Sequence, residues 1–480
     1  MVEAIPGRRP MRQRIEDARS RAATTPGRLR VLALAIGLVT ATLITVGSGA
    51  LATALTTVTA MQQDTVPAIL RMQHIHAWLS DADRSAATVY LTGGFDSSDS
   101  QLQFDAESAA TSFDVLGHLN SDDPQLRYEA DIAAASRELQ RSTEHAPPGG
   151  EVSQRLHTVA EAVANYTRLA KIASAQEAQD IAAGTVYLQA GSNLMHGPGG
   201  ILVQIDELRV LYAQDLDAAN LTLQVTAGLL ALYAGVAVAL LVLLVHTQRF
   251  VTARFRRRRN NRLVAATMLL VIVTGGGGIG AARAAQAIHT GEDDSYARLL
   301  NLWNASALVY DATGNRYLSL ISRGKNAQFD QAFELETARL VDRPLTAQMT
   351  RDAERGEVRF GGMLADELRS AASPAEWDSA LHLLRAYQTF LQADASVRDQ
   401  AAKSSRTSGR PFVPDRALGQ AVNELQWYFG ASMQMLQGQF DDDMASAQLT
   451  LALTAVLELM AIVVAALAFW GLQPRIDEYR

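Results

Sequence analysis

The 480-residue chain contains no cysteine, which excludes disulfide staples, thiol catalysis and cysteine-ligated zinc. Lysine is almost missing too: Lys171, Lys325 and Lys403 stand against forty arginines. That imbalance, with the abundant alanine, reads as GC-rich bacterial coding bias rather than as function. No alternating strand pattern of useful length occurs, so nothing points to a sheet. The nine histidines are scattered, and the closest pair, His74 and His76, is two residues apart. On a helix that spacing aims the two rings away from each other, so no metal site is expected. Gly275–Gly278 and Gly280 lie in an apolar run without the Lys and Ser/Thr of a phosphate-binding loop. No nucleophile–base pair or cofactor motif is present, and no cofactor and no enzyme activity are expected.

Four long apolar runs dominate what is there. They read as transmembrane helices over 29–53, 223–245, 263–284 and 449–472. Each reaches the roughly 20 residues that a bilayer crossing needs. The competing reading of the first is a cleaved signal peptide, since Ala50-Leu51-Ala52 resembles an A-x-A cleavage site. The run is longer than a normal signal core, and its counterpart at Leu263 is internal.

Charge orients the spans. Residues 1–28 form a basic tail, and 246–262 form a loop holding Arg249, Arg254, Arg256, Arg257, Arg258, Arg259 and Arg262 with no acid. The positive-inside rule puts both in the cytoplasm, together with the short tail 473–480. Residues 1–30 carry a net +5 and the loop +7, so the rest of the chain carries about −19 to reach the net −7. The acidic segments 54–222 and 285–448 are then extracytoplasmic. Arginine beside membrane spans, rather than on a folded surface, argues against a nucleic-acid partner and for the lipid bilayer.

Both acidic segments read as helical bundles. Leu156, Val159, Val163, Tyr166, Leu169 and Ile172 recur at helical spacing. Asp123-Pro124 looks like an N-cap followed by proline at the first helical position. Pro147-Pro148-Gly149-Gly150 and Gly197-Pro198-Gly199-Gly200 are breaks, and the helix from about Ile201 is expected to run straight into the second span. Breaks at Gly324, Pro344, Gly361-Gly362, Ser373-Pro374 and Lys403–Asp415 divide the second segment. The fold class is all-α: a multi-pass membrane protein with four transmembrane helices and two tandem extracytoplasmic helical bundles.

The two halves also match in residues. Leu221–Leu229 aligns with Leu449–Leu457, six identities in nine at an offset of 228. At the front of the unit the offset is 230, where Ala77, Asp81, Ala82 and Gly94 match Ala307, Asp311, Ala312 and Gly324. A tandem duplication is expected.

Candidate sites are few. Glu458 lies near mid-depth of the last span, where a carboxyl is costly, and serves either as helix glue or in signal transfer. Gly276 and Gly280 have the G-x-x-x-G spacing of close helix packing, with a flexible gate as the other reading. Asp215, Asp217, Asp441, Asp442 and Asp443 form an acidic collar beside the spans, either solvated or a docking surface for an exported partner. The seven arginines of the central loop are candidates for a cytoplasmic contact as well as for topology and lipid anchoring.

Four spans, two helical outer segments and an Arg-rich central loop without an output domain resemble the GlnX-type membrane proteins of actinobacteria. Each outer segment also looks like the four-helix-bundle sensor domains of chemoreceptors. The resemblance implies an exported GlnH-like solute-binding protein as outer partner and a PknG-like Ser/Thr kinase as cytoplasmic partner, with amino-acid availability as the signal. It also leaves room for a homodimer. The short basic-side segments, about 30, 17 and eight residues, are too small to fold a kinase or cyclase. A non-enzymatic signal transducer is therefore expected. The alternative is an accessory subunit of an envelope or transport complex.

Overall fold

The computed structural model describes residues 25–92, 123–177, 181–255, 261–322, 327–407 and 416–477. All regular structure among them is helical. In order, the helices are α1 (Thr25–Ala60), α2 (Val66–Thr92), α3 (Pro124–His145), α4 (Glu151–Glu177), α5 (Ile181–His196) and α6 (Ile201–Phe255). After the central loop come α7 (Asn261–His289), α8 (Ala297–Ile321), α9 (Ala327–Leu340), α10 (Ala347–Glu354), α11 (Met363–Ser370), α12 (Pro374–Thr407) and α13 (Arg416–Asp477). The loop core Arg256–Arg259, the aligned Gly94 and the expected break at Gly324 lie outside the described residues.

Local chemistry accounts for most helix ends. Asp123 caps α3 by accepting from the Gln125 and Leu126 amides, with Pro124 in the first turn. The Pro-Pro-Gly-Gly and Gly-Pro-Gly-Gly breaks separate α3 from α4 and α5 from α6, and Gly149 and Gly199 adopt positive φ there. One boundary differs from expectation: α12 continues to Thr407, through the start of the Lys403–Asp415 segment. Lys403 pairs with Asp399 one turn back, which supports that last stretch as helix.

The chain divides into two compact units. One, the span unit, comprises residues 1–61, 217–288 and 443–480; the other, the polar unit, comprises 62–216 and 289–442. Both α6 and α13 are single helices that supply residues to both units. On α1 and α7 the passage is different. Met61–Thr65 and Thr290–Tyr296 are π-helical turns, 229 residues apart, and each stands where the chain changes unit. The first has a clear cause, because Pro67 lacks an N–H and its ring crowds the carbonyl four residues back, so the coil widens just before it.

The span unit is apolar on both sides of its packing. Among the described residues, four helices contain stretches long and apolar enough to cross a membrane. Leu29, Ile36, Leu43, Leu240, Leu244, Leu263, Leu270, Val464 and Leu472 form its buried core. Leu34, Leu38, Val225, Val242, Ile272, Leu449 and Leu459 are all more than 60% exposed. So large an exposed apolar surface suits a hydrocarbon solvent and not water. Hydroxyls in these helices turn inward on their own backbone: Thr40 donates to Ile36 O, Thr274 to Leu270 O and Thr454 to Thr450 O. The chain is an all-α membrane protein.

In the polar unit, the two segments expected as separate bundles share one body. Its core joins Leu79, Tyr128, Leu156, Val163, Tyr166 and Ile205 of the first segment to Leu318 and Phe329 of the second. Helix α2 packs along both α3 and α8, α8 also carries α9, α3 carries α4, and α5 packs on α4. The turn into α11 is tight. Gly362 has φ of 99°, and a Cβ there would stand 2.6 Å from Leu340 O. Gly362→Ala is therefore expected to destabilise the polar unit by roughly 1–3 kcal/mol, read from thermal melts of the full chain.

Candidate functional site

Charged side chains are buried in the middle of the polar unit, on the helices that hold its two segments together. Asp81 on α2 is fully buried and accepts from Arg84 Nε at 2.6 Å and from Arg127 Nε at 2.7 Å. Arg127 reaches on to Asn423 Oδ1 of α13 at 2.7 Å. Burial opposes the Arg127 charge, and Asp81 with Asp131 behind it outweighs burial and raises its pKa. One carboxylate thus accepts from two buried guanidiniums, with Arg84 also lying over the Tyr310 ring.

Two residues along α2, a second cluster starts at Asp83. Its carboxylate accepts from the Tyr166 hydroxyl at 2.9 Å and from Ser192 at 3.0 Å, and it pairs with His196 Nε2 at 3.1 Å. The other ring nitrogen of His196 faces Asp311 of α8 at 3.8 Å. Burial works against the imidazolium, but Asp311 and Asp83 outweigh it and raise the His196 pKa from 6.5 to about 9. Burial, reinforced by Asp311, pushes the neighbouring Glu336 carboxyl well above its usual range. Among the described residues no group of His, Asp and Glu side chains is arranged to hold a metal ion.

The helices that leave this core are held by polar contacts of their own. On α6, Asp206 pairs with His76 of α2 at 3.5 Å, and Arg209 donates to Asn304 of α8 at 2.9 Å. On α13, Gln426 exchanges two hydrogen bonds with Ser306 of α8, at 2.5 and 2.9 Å. Arg298, at the start of α8, bonds Glu367 and Glu376, and Gln439 of α13 donates to Glu376 as well. His74, two residues from His76, instead lies against Trp303 and Trp78, with ring centroids 4.7 and 5.6 Å away.

In the span unit, Glu458 is 7% exposed and its carboxyl pairs with the Tyr233 hydroxyl of α6. A Cβ on Gly47 of α1 would collide with the same carboxyl, so the glycine lets α1 approach it. Thr454 and Glu458 share a wall of a cavity of about 420 Å³ with Gly47, Tyr233, Gly277 and Gly278. Gly276 and Gly280 also face α13: added methyls would meet Leu457 at 3.3 Å and Thr454 respectively. The structure thus brings Glu458, Gly276 and Gly280 into one region of the span unit.

The central arginines are only partly placed. Arg249 is exposed on α6, and Arg262, also exposed, donates to Trp470 O of α13 at 3.3 Å. The side chain of Arg254 and all of Arg256–Arg259 lie outside the described residues. Of the acidic collar, Asp215, Asp217, Asp441 and Asp442 are exposed and Asp443 is half-buried.

Residues 57–221 match the family model of the actinobacterial sensor domain. The match starts at the end of α1 and stops within α6, so it takes in α2 to α5 with Asp81, Arg84, Arg127, Asp83, Tyr166, Ser192 and His196, but not Asp311, Glu336 or Asn423. No curated protein and no solved structure matches the chain. A sensor domain on spans long enough to cross a membrane gives the protein a sensing and signalling role at a membrane.

Two outcomes follow from the sensor domain's polar core. Asp81→Ala leaves Arg84 and Arg127 buried without their carboxylate and should cost about 3–5 kcal/mol of stability, measured by denaturant or thermal unfolding. The His196 pKa is raised in the folded state, so its stabilisation is complete below pH 6.5 and lost as pH rises through about 9. Glu336 works in the same direction, since its folded-state proton is also lost on raising the pH. Melting temperatures should therefore fall from pH 6.5 to 9, and His196→Gln should flatten that slope; an unchanged slope would show that His196 does not carry it.

Proposed function

We propose that the chain is a non-enzymatic transmembrane signal transducer. The sensor domain and the second acidic segment stand outside the cell, and the basic tail, the Arg-rich loop and residues 473–480 stand in the cytoplasm. The observation that carries this reading is α6. Its first turns, Ile201, Leu202, Ile205 and Leu208, belong to the sensor-domain core, and the same unbroken helix runs on into the Arg-rich segment as far as Phe255. A change in the core that moves α6 moves the loop end of that helix as well. Shifts of about 1–2 Å are the usual scale for such helices.

Two joints make such a shift tolerable. The π turns at Met61–Thr65 and Thr290–Tyr296 interrupt the α-geometry of the entering helices, while α6 and α13 have no such turn among their described residues. In this mechanism α6 and α13 are the moving rods, and α1 and α7 absorb the displacement at their π turns. Glu458, pairing α13 with Tyr233 of α6, links the two rods inside the span unit.

The signal is the availability of an amino acid, brought by an exported GlnH-like solute-binding protein that docks on the acidic outer surface. The receiver is a PknG-like Ser/Thr kinase reached through the arginine loop and the basic tail. The GlnX-type resemblance supports these partners, and the chain's layout is compatible with them.

Reporter fusions at Gly149, Arg258 and Gly409 should report outside, inside and outside; any other pattern refutes the orientation. Co-purification from membranes should recover a solute-binding protein and a kinase, and deletion should lower phosphorylation of the kinase's targets while amino-acid uptake persists. Loss of uptake with phosphorylation intact would instead mark an accessory transport subunit. Replacing two of Arg256–Arg259 by lysine keeps the charge and removes the bidentate donor geometry, so lost signalling with intact topology would show that a partner reads the loop.

A further inference from the structure

The contacts between α2 and α8 repeat the internal sequence match. His74 lies against Trp303, Arg84 Cα is 4.0 Å from where a Cβ on Gly314 would stand, and Tyr317 interacts with Thr88. These pairs are separated by 229, 230 and 229 residues, within one residue of the offset of 230 that aligns Asp81 with Asp311 and Ala77 with Ala307. The two helices therefore run parallel and in register, and equivalent positions meet. That is what an isologous pair does along a two-fold axis lying between its helices.

The residues along the seam keep the spacing of a two-stranded coil. At the offset of 230, Gln73, Ala77, Ser80, Arg84 and Ala87 of α2 correspond to Trp303, Ala307, Tyr310, Gly314 and Tyr317 of α8, all of them buried. Both series step by four and three residues. The layers are unequal in a consistent way. Where α2 offers a small residue, Ser80 or Ala87, α8 has Tyr310 or Tyr317 in register, and where α2 has Arg84, α8 has Gly314. Arg84 lies over the Tyr310 ring, so the large residues of one helix fill the room left by the other. Two copies of α8 would stack tyrosine on tyrosine and tryptophan on tryptophan, which overpacks the seam. Two copies of α2 would set Arg84 against Arg84 with voids at Ser80 and Ala87.

Polar contacts cross between the segments as well. Arg127, held by Asp81, bonds Asn423 of the second segment, and Asp311 of the second segment pairs with His196 of the first. Asp81 and Asp311 are equivalent positions: Asp81 holds the Arg127 that reaches Asn423, and Asp311 pairs across directly with His196.

We propose that the second acidic segment is the dedicated cis partner of the sensor domain, and that the α2–α8 seam is a pseudo-symmetric dimer interface closed within one chain. The duplication has replaced a second subunit, and the complementary sizes at the seam exclude pairing of like segments between chains. One chain is then the complete signalling unit on this face.

The absence of cysteine makes the test direct. Ala77→Cys/Ala307→Cys in the full chain, oxidised in its own membranes, should consume both thiols while the protein stays one chain long on a non-reducing gel. Ala77→Cys alone and Ala307→Cys alone should give no covalent dimer. Covalent dimers from either single variant, or free thiols in the double variant, overturn the proposal. An exchange of sizes checks the packing separately. Ser80→Tyr and Tyr310→Ser should each lower the melting temperature, and Ser80→Tyr/Tyr310→Ser should recover most of the loss. A double variant as poor as the sum of the singles would show that the two positions do not share a layer.

Discussion

A bilayer core offers the backbone no hydrogen-bond partner, so the chain can cross it only as whole helices. The rest of the architecture depends on that constraint. Hydroxyls inside the spans fold back onto carbonyls one turn earlier, as at Thr40, Thr274 and Thr454, which leaves no donor facing lipid at those sites. A helix already forced to be continuous through the membrane is easily continued beyond it. Helices α6 and α13, of 55 and 62 residues, do so and bring a segment of each into the polar core. At about 1.5 Å per residue they are rods of roughly 80–90 Å.

The polar unit meets a different requirement. Asp81, Arg84, Arg127 and Asp83 are almost completely out of water, and such charges persist only when paired. Pairing fixes geometry rather than adding much stability, because desolvation consumes most of the Coulombic gain. The buried pairs therefore act as registers. They set how α2 lies on α3 and α8, while the half-buried contacts Asp206–His76 and Arg209–Asn304 set where α6 leaves the core. The His196 cluster is the less settled of the two, since a cation, two aspartates and a protonated Glu336 share one place.

Much of this was legible in the sequence where the cause is local. The apolar runs, the Asp123-Pro124 cap and the two proline–glycine breaks each announce themselves within a few residues. What stayed hidden depends on long-range pairing. Asp81 meets Arg127 across 46 residues and Arg127 meets Asn423 across 296, and periodicity reports that a face is buried without saying against what. Four acids and arginines within or beside buried helical faces were the available signal, since a charge at an otherwise apolar helical position implies a partner. Glu458 was conspicuous in its span, whereas its pairing with Tyr233 and its contact with Gly47 required the fold. The π turns also escaped: Pro67 was a visible cause for the first, and the second has only Gly291 as a local break in helix-forming sequence.

Transmission along these helices requires α6 and α13 to be rigid from the polar core into the spans, with compliance placed at the two π turns. Hydrogen exchange on the full chain in lipid bilayers tests this most directly. Backbone amides from Leu216 to Thr226 and from Asp441 to Thr450 should be protected without a gap, while Met61–Thr65 and Thr290–Tyr296 exchange faster than the helices around them. A stretch of rapid exchange in α6 or α13 at the passage between units, with the π turns protected, would contradict it.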